Sequence, residues 1–433
     1  MNAEEIRVLV IASNAFSDIN NNGKTLKSIF SSFPKESLFN FYLRPEDNSI
    51  GDGNYAASYY AVSEMDIIKS IISFSSNCGG IQHFPSNEPK PNKQATNNKV
   101  YSFFKKSSIR NNKLLRRLLW KTKKWNTKEL WDWCKSCKPD IVFSLVGGVG
   151  PLFDISQEIS DRLDIPLAIY FTDDYILHTN DCGSLSYYSH GKNIKAFKEF
   201  IDKASKCYCI GDLMCEEYGE FFNKPFSPIM NSVDVIPFSP KVNINKPIII
   251  SYFGGLSLGR WEMISRFSDV VKEDATIKVY TTHEITDEIA EVFSKPNIEI
   301  CGKVVGEELE RARMNSDFLL HVENDKQLYR NRTSLSISTK IPESLIQSRM
   351  LIGFGPSEVA SMQLIQKHNI GLFISSEISI EHQRDTFLKA ISNKTNNREI
   401  VENAYKFARE HFDKRVVSHK LKQELIEVCN NSK

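Results

Sequence analysis

The sequence predicts an α/β protein built from two Rossmann-like halves and a helical tail. Three observations carry that prediction. Short apolar runs recur along the chain, bounded by polar or glycine-rich turns, as strands buried on both faces require. Segments with helical spacing alternate with these runs, the pattern of parallel sheets covered by helices. Between two such series, residues 236–247 hold Pro237, Pro240 and Pro247 without periodicity, which suits an interdomain linker.

At 433 residues the chain is long enough for two to three domains of ~150 residues each. We expect a first domain over 1–238, a second over 239–397 and a helical segment over 398–433. Apolar residues make up 41% and charged residues 25%, which excludes wholesale disorder. The net charge of +2 favours no polyanionic partner, and no nucleic-acid motif is present, so no nucleic acid is expected. Nine cysteines are scattered rather than framed as disulfides. Cys134 and Cys137 form a CxxC, but no second ligand pair stands at zinc-like spacing, and Trp131 and Trp133 beside them suggest a packed helix. No metal and no cofactor are therefore expected. The start lacks a signal-peptide pattern and no apolar run approaches the ~18 residues of a membrane span, so the expected location is cytoplasmic.

In the first half, strands are expected at 7–12, 39–43, 138–145, 166–171 and 206–210. The first feeds a small polar loop that ends in Asn22, Gly23 and Lys24, ahead of helical spacing at Leu26, Ile29 and Phe30. Backbone N–H groups at such a helix start can meet a phosphate or a sugar hydroxyl. A helical patch is expected around Ile67, Ile68, Ile71 and Ile72, and residues 74–98 read as a long loop. Segment 103–125 is strongly cationic, with Phe103, Phe104, Trp120 and Trp125 interleaved, and Leu114, Leu115, Leu118 and Leu119 on one helical stripe. It reads as an interfacial helix against an anionic membrane surface, with aromatics at headgroup depth, or as a core-facing helix with a solvated basic face. The strand at 166–171 runs into Asp173 and Asp174, carboxylates placed to orient or deprotonate a hydroxyl, or to start a helix.

The second half continues with strands at 248–253, 277–280, 298–301, 318–322, 350–354 and 371–374. After the first of these, Gly254 and Gly255 allow close backbone approach to a ligand, and Arg260 stands at the next helix start, suited to a diphosphate. Between the strands at 318–322 and 350–354, the stretch Ser338-Thr339-Lys340-Ile341-Pro342-Glu343 carries hydroxyls, a cation and a carboxylate at a loop-to-helix junction. Lysine suits phosphate oxygens, and a carboxylate can accept hydrogen bonds from both ribose hydroxyls. From about 398 onward the chain reads as helical, with Ala404, Phe407, Ala408 and Phe412 on one face.

Taken in order, Asn22-Gly23-Lys24-Thr25, Lys138-Pro139-Asp140, Phe171-Thr172-Asp173-Asp174-Tyr175, Asn231-Ser232-Val233-Asp234, Gly254-Gly255 with Arg260, Ser338 to Glu343, and Phe354-Gly355-Pro356 resemble a glycosyltransferase of GT-B fold. The resemblance is to the retaining family 4 enzymes of bacterial capsule and O-antigen synthesis. It implies two Rossmann-like domains with a cleft between them and a C-terminal helix crossing back to the first. It implies a nucleotide-sugar donor held mainly by the second domain, through Gly254, Gly255, Arg260, Ser338, Thr339, Lys340 and Glu343. A lipid-linked or oligosaccharide acceptor would lie on the first, near Asn22, Gly23 and Lys24, with Asp173, Asp174, Arg260 and Lys340 as catalytic groups. Glu343 matches the ribose-holding second glutamate of the family's paired element, while Leu335 stands where the first would be. The lysine that usually follows the phosphate-binding arginine is also missing; Lys340 could take its place, and Arg266 is nearby. The missing glutamate leaves open a sugar-nucleotide epimerase or hydrolase of the same fold, or a non-catalytic membrane-surface scaffold.

Overall fold

The computed structural model describes residues 6–18, 21–43, 55–83, 113–148, 150–178, 184–241 and 246–432. Its first sheet contains β1 (Val8–Ala12), β2 (Leu38–Tyr42), β3 (Ser58–Ala61), β4 (Gly80–Gln82), β5 (Ile141–Val146), β6 (Leu167–Phe171), β7 (Lys206–Cys209) and β8 (Phe226–Pro228). Their spatial order is β4-β3-β2-β1-β5-β6-β7-β8, parallel throughout except for the antiparallel β3–β4 pair at one edge. β1, β2, β5 and β6 are buried at every position, which is why they read as unbroken apolar runs.

The second sheet contains β9 (Ile248–Phe253), β10 (Ala275–Tyr280), β11 (Ile298–Gly302), β12 (Phe318–Val322), β13 (Met350–Gly355) and β14 (Leu372–Ser375). All pairs are parallel, in the order β11-β10-β9-β12-β13-β14. In both sheets the winding direction reverses beside the first strand: between β1 and β5, and between β9 and β12. Reversal points are where doubly wound sheets open a crevice at the strands' carboxyl ends.

The tail joins the two halves. Helix Lys394–His411 packs along the second sheet, and the chain turns at Phe412 and Asp413. There Val233 N donates to Phe412 O (2.8 Å) and Lys414 N donates to Val233 O (3.0 Å), so both passages between the halves lie side by side. Helix Lys414–Asn431 then lies on the first half against helix Asn21–Ile29, with Leu421, Leu425 and Cys429 in the core that holds Val8, Val10 and Phe143.

Three strands escape the sequence reading. β3 is only four residues long, β4 is a three-residue antiparallel edge inside the expected long loop, and β8 ends in a proline, which an edge strand tolerates. The rest of that loop, 84–98, lies outside the described residues, as does 103–112 of the basic segment. The described part of that segment corrects the expectation of headgroup aromatics for Trp120 and Trp125 only. Helix Lys113–Lys121 packs beside helix Glu64–Ile72, Arg116 pairs with Glu64 (2.6 Å), and Trp120 and Trp125 are buried in the core. Indoles bound in a core cannot sit at a bilayer surface. Leu118, by contrast, is 61% exposed.

Helix Lys128–Cys137 buries Cys134 and Cys137, and that burial raises both thiol pKa values, Cys137 to about 12. Among the described residues no helix is long and apolar enough to cross a membrane, and no cluster of three or more His, Cys, Asp or Glu side chains is arranged to hold a metal ion.

Candidate functional site

Buried charged side chains gather at the carboxyl ends of β9 and β12. The chain leaves β9 through Gly254 and Gly255 and enters helix Arg260–Val271. Tyr252 fixes the exit by donating its hydroxyl to Gly255 O (2.6 Å). Gly259 precedes the helix at φ +65°, and its carbonyl accepts from Asn324 Nδ2 (2.8 Å), tying the helix start to the end of β12. Arg260 projects from this start, 16% exposed at its side chain. Its Nη2 donates to both oxygens of Glu323, at 3.0 and 3.2 Å.

Lys340 reaches the same place from helix Lys340–Leu345. A Cβ on Gly254 would stand 1.8 Å from Lys340 Nζ, so only glycine admits the ammonium there. That ammonium has no carboxylate within ion-pair distance among the described residues. Burial, followed by the charge of Arg260, lowers its pKa to about 8. Burial pushes the Glu323 carboxyl up, but Arg260 and His321 outweigh it and hold the group below its ordinary value. His321 Nε2 lies 3.2 Å from Glu323 Oε1, and burial depresses its pKa, leaving the ring neutral near pH 7. Two cations thus share a crevice with one buried carboxylate. Such a set favours an anion.

Glu343 lies at the rim of this crevice, 49% exposed at its side chain and paired with Arg313 (2.7 Å), whose guanidinium also lies over the Phe253 ring at 5.7 Å. Ser338 Oγ accepts weakly from Lys340 N (3.4 Å), and Ser338 N donates to Ser361 Oγ (3.3 Å); Thr339 is exposed ahead of the helix. Leu335 is buried in the core, 1% exposed. Arg266 is held by Asp325 (2.7 Å) and Ser376 O (3.0 Å).

No family model matches the chain, and no curated protein matches it. Solved structures do resemble it. The Anabaena protein HepE, crystallised in complex with UDP, gives a TM-score of 0.63 at 10% identity, covering 98% of this chain and 100% of that one. Sucrose-phosphate synthase from Thermosynechococcus elongatus gives 0.62 at 9% identity, with 98% and 100% covered. A glycosyltransferase from Rickettsia africae gives 0.58 at 11% identity, with 98% and 99% covered. The chain has the GT-B fold.

The GT-B cleft separates the cation pair from the first half, and Asp173 reaches across it. Asp173 Oδ1 accepts from Ser336 Oγ (3.1 Å) and Oδ2 accepts from Tyr175 (3.3 Å). Next to that bridge, Ile337 packs on Gly211, where a Cβ would stand 2.4 Å from its terminal methyl. Asp174 must be corrected. Its buried carboxylate accepts from Ile176 N, Leu177 N, His178 N and the Tyr218 hydroxyl, at 2.7–2.9 Å. Those bonds fold the loop after β6 and commit the buried carboxylate to its own backbone and Tyr218.

Asn22, Gly23 and Lys24 also differ from expectation. They form the first turn of helix Asn21–Ile29 rather than a loop. Lys24 is exposed, and the neighbouring Thr25 donates to Asn231 Oδ1 (2.9 Å). Sequence reasoning missed Glu323, His321, Asn324 and Arg313. His321 to Asn324 close the apolar run of β12, so the strand-end rule that singled out Asp173 applied equally there.

Proposed function

We propose that this protein is a glycosyltransferase that takes a sugar from a nucleotide-sugar donor. The observation that carries the reading is that Lys340, with no ion-pair carboxylate among the described residues, reaches Gly254 close enough to feel the charge of Arg260, at the reversal point of the second GT-B sheet. A sugar leaving a nucleoside diphosphate leaves negative charge on the phosphate. Fixed cations in a partly dry crevice stabilise that charge without waiting for solvent to reorganise. Glu343 at the rim is placed to accept from ribose hydroxyls, with Gly254, Gly255, Ser338 and Thr339 around the phosphates. The bound UDP and UDP-glucose in HepE lend support by analogy of fold. No metal is required by this reading, because the two cations do the neutralising.

The acceptor is a lipid-linked or growing glycan of surface polysaccharide, entering between the halves near Asp173 and Lys24, and transfer is retaining. Asp173 orients its hydroxyl. Attachment to an anionic membrane surface from the cytoplasmic side fits the exposed Leu118 with Arg117 and Lys121 on the same helix. Incubation with UDP-, GDP-, ADP-, dTDP- and CMP-sugars, with and without lipid-linked acceptors, tests the reading. Acceptor-dependent sugar transfer supports it; rapid turnover of donor alone would point instead to a hydrolase or epimerase.

A further inference from the structure

We infer that Glu323 is a positioning residue that clamps Arg260 by one nitrogen so that the remaining guanidinium N–H groups face the diphosphate. The inference rests on the donor-site reading above and deepens it. An anion site with a carboxylate at its centre is at first sight self-defeating, since that carboxylate repels the ligand. The geometry explains its presence.

Glu323 is the first residue past β12 and cannot move easily. Its N–H donates to Phe354 O (3.1 Å), and its backbone packs so closely on Gly355 that a Cβ there would stand 2.8 Å from Glu323 O. The side chain is 3% exposed, with His321 Nε2 3.2 Å from its Oε1. Against this fixed group Arg260 uses only Nη2. Among the described residues its Nε and Nη1 have no partner, which leaves donors for ligand oxygens. An unclamped arginine would lose rotamer freedom when it engaged a ligand, and would swing away from the ammonium of Lys340 before engaging. The buried carboxylate removes both problems. It offsets one of two neighbouring positive charges and fixes the direction of the guanidinium before the ligand arrives.

Inorganic pyrophosphate is the probe, because it tests the phosphate site without presuming a base or sugar. Its affinity is measured calorimetrically for the full-length protein and for Glu323→Gln, Glu323→Asp, Arg260→Ala, and each Glu323 variant combined with Arg260→Ala. Positioning through Arg260 predicts that either Glu323 variant weakens pyrophosphate about tenfold, and that this loss disappears when Arg260 is already alanine. The aspartate variant keeps the charge but shortens the reach, so it separates orientation from charge balance and carries the test if the glutamine variant does not fold. Equal loss in both Arg260 backgrounds, or unchanged affinity in Glu323→Asp, overturns the inference while leaving the donor site standing. Arg260→Ala binding pyrophosphate as well as the wild type overturns the donor-site reading itself, and the inference with it.

Discussion

Lys340 is the residue whose state governs the site. Its half-buried ammonium has no carboxylate within ion-pair distance among the described residues and feels the charge of Arg260, and its pKa falls to about 8. A phosphate ligand prefers the charged form, so nucleotide affinity should decline as pH rises through about 8, and that decline should vanish in Lys340→Met. Affinities measured from pH 6 to 9 check the sign; a flat wild-type profile would remove Lys340 from the ligand. Gly254→Ala should act on the same group, since its Cβ would displace the ammonium, weakening nucleotide at least tenfold with little change in overall secondary structure. Both residues were legible in the sequence because a cation or glycine at a strand-to-helix junction has few structural uses. Glu323 stood at a strand end too, but its importance lies in the contact with Arg260, a residue 63 positions away. Asp174 was misread for the complementary reason: helix-start and loop-folding carboxylates share sequence positions with functional ones.

Among the elements, the loop after β6 shows how a carboxylate can be structural and still shape a site. Four donors converge on Asp174, and the loop they fold presents Asp173 to the second half. Asp174→Ala should therefore destabilise the first half by about 3 kcal/mol, through lost hydrogen bonds and buried donors left unmet, whereas Asp173→Asn should change stability little. Urea unfolding followed by tryptophan fluorescence compares the two; equal effects would contradict this division of roles. The long buried strands were readable from composition alone, because a strand covered on both faces must be apolar throughout. The short edge strands β3, β4 and β8 were not. Their few residues are fixed by neighbours in the sheet rather than by any pattern of their own. Helix Lys113–Lys121 showed its amphipathic stripe in sequence, but nothing local could reveal that Trp120 faces Glu64 instead of solvent.

At the scale of the whole molecule, two sheets share the same reversal of winding, and the chain passes between them twice, at Val233 and at Asp413. The last helix returns to the first sheet, so β1 and that helix share one half while the cation pair belongs to the other. Asp173 and Ser336 are in contact across the gap, where the proposed function has the donor on one side and the acceptor on the other. The sequence order of motifs foretold two halves and a returning tail; the contact across the cleft depends on how the halves dock, which no linear pattern encodes. The most direct test is a calorimetric screen of the wild type and Arg260→Ala against UDP-, GDP-, ADP-, dTDP- and CMP-sugars. One donor class should bind the wild type and bind Arg260→Ala at least tenfold more weakly, the scale expected for losing a charged hydrogen-bond donor. Equal binding to both proteins, or binding of none to the wild type, would contradict a nucleotide-sugar site at Arg260 and Lys340.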